Sequence, residues 1–222
     1  NTYMGSSLVR HLECMNVFSV VGAEAILQSR NKWTCFQILA QYGIATPKTF
    51  LGNTYDAELL LSLFGKAPLI IKILQGTHGQ GVILAETQAS ALSTIETLKT
   101  ANVRFIVQEF IAESKGCDLR AIVVDGKVVA SMKRQSKEGD FRSNLHRGGS
   151  SEQIRLTHEE EAIALKAAKA LGLGVCGVDI LQSKEGPLVL EINSTPGLEG
   201  IETTTGIDIA QSIITYIERN NK

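Results

Sequence analysis

Aromatic residues make up only 5% of this 222-residue chain, so its core must be aliphatic. With four prolines and no repetitive or Ser-rich tract, the sequence offers no long linker and no internal repeat. The four cysteines (Cys14, Cys35, Cys117, Cys176) never form a C-x-x-C pair. That spacing excludes a disulfide scaffold and Cys-ligated zinc, and reads as reduced thiols of a cytoplasmic protein. His11, His78, His146 and His158 lack partners at metal-ligand spacing. Neither a G-x-S-x-G elbow nor a G-x-x-x-x-G-K-[ST] loop occurs, so Ser-His-Asp hydrolysis and P-loop chemistry have no support. Apolar runs are short; Pro68 to Leu74 is interrupted by Lys72, and no membrane span is expected. Lys and Arg number 22 against 23 Asp and Glu, a formal net charge of −1. That balance argues against a globally basic nucleic-acid binder. The opening residues, Asn1 to Gly5, carry no secretory signal pattern and no initial Met, so a longer parent chain is expected.

What is present suffices for a folded core, since 44% of the residues are hydrophobic. Ser29 to Tyr42 has helical apolar spacing at Trp33, Phe36, Leu39 and Ala40, with Gly43 as a stop. Pro68 to Leu74 and Val82 to Ala85 read as strands of a hairpin whose tip is Gly76 to Gly81. Gln88 to Lys99 reads as a helix and Arg104 to Phe110 as a strand. Asp125-Gly126 between two apolar runs is a two-residue hairpin signal. Thr157 to Glu160 is a capping box opening a helix that stops at Gly172. Val175 to Leu181 and Leu188 to Asn193 form a last hairpin, and a terminal helix starts near Ile207. Hairpins with helices between them predict an α+β chain, divided into two lobes near Phe110-Ile111.

Three constellations bear on chemistry. If the last hairpin turns about Glu185, Leu181 faces Val189 and Asp179 faces Glu191. Glu191 and Asn193 share a face because strand side chains alternate. Asp179, Glu191 and Asn193 then converge, either as an all-oxygen site for Mg²⁺ or Mn²⁺ or as a solvated polar face. Lys72, inside an apolar strand, needs an anion or an edge from which to reach water. Beside a glycine-rich loop of backbone N–H groups it reads as a phosphate clamp. Met132 to Gly149 holds Lys133, Arg134, Lys137, Arg142 and Arg147 against Glu138 and Asp140, a local excess of three positive charges suited to an anionic substrate.

These stretches, in order, resemble the ATP-grasp ligases, and within them the RimK type that glutamylates a small-subunit ribosomal protein. The resemblance rests on Arg30-Asn31-Lys32-Trp33-Thr34, Pro68 to Leu74 with Gly76, Gly79 and Gly81, and Gln108-Glu109-Phe110-Ile111. It continues through Gly116 to Arg120, Met132 to Gln135, Glu138 to Gly149 (most specifically Phe141 to Gly149), Gly177 to Leu181 and Leu190 to Gly197. It implies two α+β lobes clasping ATP between antiparallel sheets, residues 30–110 and 111–222. Residues 1–29 would be a remnant of an N-terminal domain that is otherwise absent, with at most its last strand at Val17 to Val21. By the same resemblance, Lys32, Lys72 and the loop with Gly76, Gly79 and Gly81 would hold ATP phosphates. Glu109 and Phe110 would meet adenine, and Asp118 the ribose. Arg142, Ser143 and Asn144 would line the nucleotide and phosphoryl site, with Arg142, Asn144 and Arg120 catalytic; Arg134 and Arg147 are looser carboxylate contacts. Asp179, Glu191 and Asn193 would hold Mg²⁺ or Mn²⁺, as two ions. The implied partners are ATP, L-glutamate and the C-terminus of the ribosomal protein, with no membrane, no direct nucleic-acid readout and a possible homo-oligomer. The alternatives are a ligase glutamylating a coenzyme or an amino-group carrier protein, or a non-catalytic nucleotide-binding module on the ribosome.

Overall fold

Residues 2–74, 81–137 and 148–220 are described by a computed structural model. Strands β1 (Thr49–Leu51), β2 (Leu69–Ile73), β3 (Val82–Ala85) and β4 (Phe105–Glu109) make one antiparallel sheet in the order β1-β4-β2-β3. Helices α4 (Ala57–Phe64) and α5 (Gln88–Thr100) cover one face of it. Strand alternation decides which residues meet them. Leu69, Ile71, Phe105 and Val107 share that face and pack with Leu60, Ala91 and Ile95 in one aliphatic core. Asp56 caps α4 by accepting from the N–H groups of Glu58 and Leu59, and Thr87 with Ser90 forms a capping box on α5. The opposite face carries Ile70, Lys72, Ile106, Gln108 and Thr49, and Ile106 belongs to the second core instead.

The second sheet holds β5 (Cys117–Val124), β6 (Lys127–Gln135), β7 (Ser150–Gln153), β8 (Val175–Ser183) and β9 (Gly186–Asn193), ordered β7-β6-β5-β8-β9 and antiparallel throughout. Helix α6 (His158–Ala170) lies on one face, with Ala164, Ala167 and Ala168 small enough to bring helix and sheet close. Gln182, in phase with Val178 and Ile180, donates to Glu160 of α6 at 2.7 Å, so Asp179 belongs to the other face. The Thr157 capping box and the stop at Gly172 (φ +63°) are as the sequence predicts. Asp125 and Gly126 both adopt positive φ, which a two-residue hairpin turn of this hand requires.

Several elements differ from expectation. The ambiguous N-terminal stretch is two helices, α1 (Thr2–Cys14) and α2 (Ala23–Arg30). Where a last strand was expected at Val17 to Val21 there is only a bridge from Val21 to Leu173. The helix α3 (Lys32–Gln41) begins later than predicted, because the Asn31 side chain accepts from the N–H groups of Trp33 and Thr34 and separates it from α2. Sequence grouped α3 with the first lobe. Its Cys35, Phe36 and Leu39 pack instead into the core of the five-stranded sheet, and the Val189 N–H donates to Ala45 just beyond it. A short helix α7 (Glu199–Thr205), not foreseen, precedes α8 (Ile209–Asn220), and Glu202 caps α8 by accepting from Ile209 and Ala210. No helix among the described residues is long and apolar enough to cross a membrane.

Candidate active site

On the free face of the four-stranded sheet, Lys72 is 8% exposed and Gln108 1%. Gln108 sits opposite Ile70, so Lys72, two residues on, is its diagonal neighbour on the same face. The Lys72 ammonium donates to Gln108 Oε1 at 2.7 Å. Gln108 Nε2 donates to the Thr49 hydroxyl at 2.9 Å, and that hydroxyl donates to the Pro47 carbonyl at 2.7 Å. Burial lowers the Lys72 pKa to about 8; Glu191 and Asp179 oppose that shift and Lys32 adds to it. Ile106, which shares this face, packs into the core of the five-stranded sheet, so the charges of Glu191 and Asp179 act on the lysine across the boundary between the two sheets.

The facing side of the five-stranded sheet holds a buried ion cluster. Asp118 lies opposite Arg134, and Arg120 opposite Asp179. Arg134 grips Asp118 through both oxygens, at 2.7 and 2.6 Å. Arg120 grips Asp179 in the same forked manner, at 2.7 Å twice. Arg134 also reaches Asp179 at 2.9 Å, linking the two pairs. Burial alone would raise the Asp179 carboxyl, yet Arg120 and Arg134 hold it below the usual carboxylate range. Burial likewise pulls on Arg134, but Asp179 and Asp118 outweigh it and keep that guanidinium charged.

Glu191 stands opposite Asp179, and a β-bulge puts it there. Ile180 pairs with Val189 and Leu181 with Leu188; the register then shifts, Leu190 being the extra residue, before Asp179 pairs with Glu191. The expected Leu181–Val189 pair is therefore off by one, because the turn is the two residues Lys184 and Glu185 rather than a loop centred on Glu185. The Asp179–Glu191 pair is as predicted. Lys32, at the start of α3, lines a small recess with Cys35 and Glu191. Cys35 is held as a thiol, its pKa raised to about 12 by burial and then by Glu191, and burial does the same to Cys176. Neither is a nucleophile in this state. Ser194, next to Asn193, has a buried hydroxyl with no hydrogen-bond partner among the described residues.

The donor set fits a hard divalent cation in kind. Glu191 is exposed, Asn193 half-buried, and Asp179 accepts a single bond on Oδ1, which leaves that oxygen a lone pair. Among the described residues no three His, Cys, Asp or Glu side chains cluster as a complete metal site. A cation held here would draw on the Asn193 amide oxygen and on the ligand it accompanies, as Mg²⁺ commonly does.

The whole chain between residues 29 and 217 matches the model of the RimK-like ATP-grasp domain. The chain belongs to the RimK-like ATP-grasp family. It is 54% identical over 220 residues to a probable alpha-L-glutamate ligase of Maridesulfovibrio salexigens, covering 99% of this chain and 73% of the relative. A second protein of that name, from Halorhodospira halophila, is 50% identical over 222 residues, covering 100% and 74% respectively. By family the chain is an ATP-dependent ligase. The fold agrees: the ATP-grasp ligase PsnB, solved with a precursor variant, Mg and ADP, superposes with a TM-score of 0.77 at 22% identity, over 100% of this chain and 68% of that one. D-alanine–D-alanine ligase from Bacillus anthracis complexed with ATP gives 0.75 at 22% identity, over 96% and 75%.

Within this RimK-like frame Lys72 lies within electrostatic reach of Glu191, Lys32 and Asp179, and Asn193 shares the strand face of Glu191. Gly81 adopts φ +71° at the foot of β3, where a Cβ would strike the Ile73 side chain. Gly76, Gly79, Arg142, Ser143 and Asn144 lie outside the described residues, as do His78, His146 and Arg147. Asp118 is not open to a ribose as expected: it is buried and both its oxygens are committed to Arg134. Arg120, expected as a catalytic group, keeps its side chain 17% exposed and is committed to Asp179. Glu109, the last residue of β4, accepts from the Lys48 N–H at 2.6 Å and donates its own N–H to the Lys48 carbonyl. Sequence reading gave Gln108 and Thr49 no role. The signal for Gln108 was a polar residue in phase with the inward Ile106 of an otherwise apolar strand.

Proposed function

We propose that this chain is a Mg²⁺- and ATP-dependent carboxylate–amine ligase that adds L-glutamate to the C-terminus of a small-subunit ribosomal protein. The observation that carries the reading is the facing of two lysines, Lys72 and Lys32, with the Asp179, Glu191 and Asn193 oxygens, in a RimK-like chain. The two lobes meet near Phe110-Ile111 and clasp the nucleotide between their sheets. Phosphoryl transfer needs mostly positioning and charge neutralisation, which these groups supply. An acceptor carboxylate oxygen attacks the γ-phosphorus, the bond to the β,γ-bridging oxygen breaks, and ADP leaves. The glutamate nitrogen then attacks the acyl carbon, the C–O bond to phosphate breaks, and the amine proton passes to solvent.

Lys72 and Lys32 bind and orient the phosphates, with Gly76, Gly79 and Gly81 adding backbone N–H groups. Glu109 and Phe110 flank adenine. Arg142, Ser143 and Asn144 bind the transferring phosphoryl group. Glu191, Asn193 and Asp179 would hold Mg²⁺ or Mn²⁺, as two ions, which when bound would neutralise phosphate charge. Arg120 and Arg134 keep the Asp179 carboxylate ionised and oriented. The reaction belongs in the cytoplasm, with its ribosomal acceptor.

ADP release is to be followed with ATP, Mg²⁺, glutamate and a peptide ending in the acceptor's C-terminus, with peptide mass read in parallel. Glutamate-dependent ADP release with a matching mass gain is expected, and Glu191→Gln should lower it at least about a hundredfold. ADP release without a mass gain would overturn the acceptor assignment. Failure to bind Mg-nucleotide would overturn the ligase reading itself.

A further inference from the structure

We infer that Gln108 is a positioning residue for Lys72: a neutral acceptor that fixes the ammonium in the cleft without cancelling its charge. The inference rests on the reading of Lys72 as a phosphate-holding group. Its basis is the direction of three consecutive hydrogen bonds across β2, β4 and β1. An ammonium can only donate, so the Gln108 amide must turn its oxygen toward Lys72, 2.7 Å away. Its NH₂ is then committed to the opposite side, where the Thr49 oxygen accepts at 2.9 Å. Thr49 can accept there because its own proton goes to the Pro47 carbonyl. Every bond runs the same way, Lys72 to Gln108 to Thr49 to Pro47, so the amide has one orientation that satisfies all its partners.

The chemistry at position 108 decides what Lys72 is. A carboxylate there would pair with the ammonium, and an incoming phosphate would meet a lysine already neutralised. An apolar side chain would leave a buried ammonium with no acceptor in its own sheet and push it toward the neutral amine. The amide alone keeps the charge and leaves it unspent. The other charged groups facing Lys72 are Glu191 and Asp179 from the five-stranded sheet and Lys32 from α3. None of them changes when residue 108 does, so the variants isolate its effect.

The test is the pH dependence of Mg-AMP-PNP affinity in the full chain. In the wild-type protein, affinity should fall above the Lys72 titration. Gln108→Glu should move that break upward by about one pH unit and lower affinity at neutral pH about tenfold. Gln108→Met should move it downward by about as much. A merely structural role would weaken binding in both variants and leave the break in place, and that result overturns the inference. Lys72→Met separates the two layers. If it abolishes the break while both Gln108 variants keep the wild-type break, only the Gln108 role falls. If it leaves affinity and break unchanged, the phosphate reading of Lys72 falls as well. Should the Gln108 variants not fold, Thr49→Val removes only the anchor of the amide. A severalfold loss of affinity with a downward break supports the inference, and wild-type behaviour overturns it.

Discussion

On the five-stranded sheet the buried charges Asp118, Asp179 and Arg134 each have an opposite charge within 2.9 Å. On the four-stranded sheet the buried ammonium of Lys72 has an amide oxygen at 2.7 Å and, among the described residues, no ion pair within its own sheet. The two faces look at each other, yet they solve burial differently. The first is closed, with forked arginine pairs that stabilise one another and hold Asp179 ionised. The second is left electrostatically open, and its cost appears as the lowered lysine pKa.

The largest effect should come from opening the closed face. Arg134→Met removes the forked partner of buried Asp118 and one of the two guanidinium groups on Asp179, and should cost about 3–5 kcal/mol, measured by urea denaturation. The matching change on the other face should do the reverse. Lys72→Met removes an ammonium whose pKa has fallen from 10.5 to about 8, so stability at pH 7 should rise by about 1–3 kcal/mol. Mg-AMP-PNP affinity should meanwhile drop about a hundredfold, as a charge-assisted contact to phosphate is lost. Loss of stability in Lys72→Met would mean that the two faces are not different in kind.

Two bulges explain how much of this contrast could be read in advance. The apolar run around Lys72, the Asp125-Gly126 turn and the Thr157 cap are local signals, and each marks the element it should. Partners across strands are another matter. From the Asp125-Gly126 turn, Val124 pairs with Lys127 and Val123 with Val128, a register that would set Asp118 against Lys133. The bulge beside Ile122 and Val123 moves the pairing by one and brings Arg134 to Asp118. The resemblance therefore offered Asp118 to a ribose, whereas its register makes it half of a buried pair. The bulge at Leu190 acts alike: it makes Asp179 face Glu191 although the turn differs from the one assumed. Apolar spacing showed α3 to be a helix but not which sheet Phe36 and Leu39 would choose. Gln108 was hidden because an amide's role depends on its neighbours.

The pH response should sharpen the comparison with a smaller effect. Lys72 has a lowered pKa in the folded state, so between pH 8 and 10.5 the unfolded chain binds more protons and stability should rise with pH. Nucleotide affinity should move oppositely, falling about tenfold per pH unit above about 8, because binding must then recharge the amine. Calorimetry in buffers of different ionisation heat should register proton uptake on binding in that window. The Asp179 side answers to acid: its carboxyl is held below its ordinary value of 3.8, so its contribution is present above that pH and lost below it.

Salt should give the smallest effect and the cleanest separation. Screening acts on charges that share the solvent with mobile ions and much less on pairs sealed from it. The stability difference between wild type and Arg134→Met should therefore stay within about 0.5 kcal/mol from 0.15 to 1 M NaCl, because both partners of the cluster are buried. Mg-AMP-PNP affinity should fall about three- to tenfold over the same range, since the ligand arrives from solvent carrying its charge. A cluster contribution that shrinks with salt as fast as the affinity would show that solvent reaches Asp118 and Arg134. The closed face would then be open too, and Asp118 would again be available to a ligand hydroxyl.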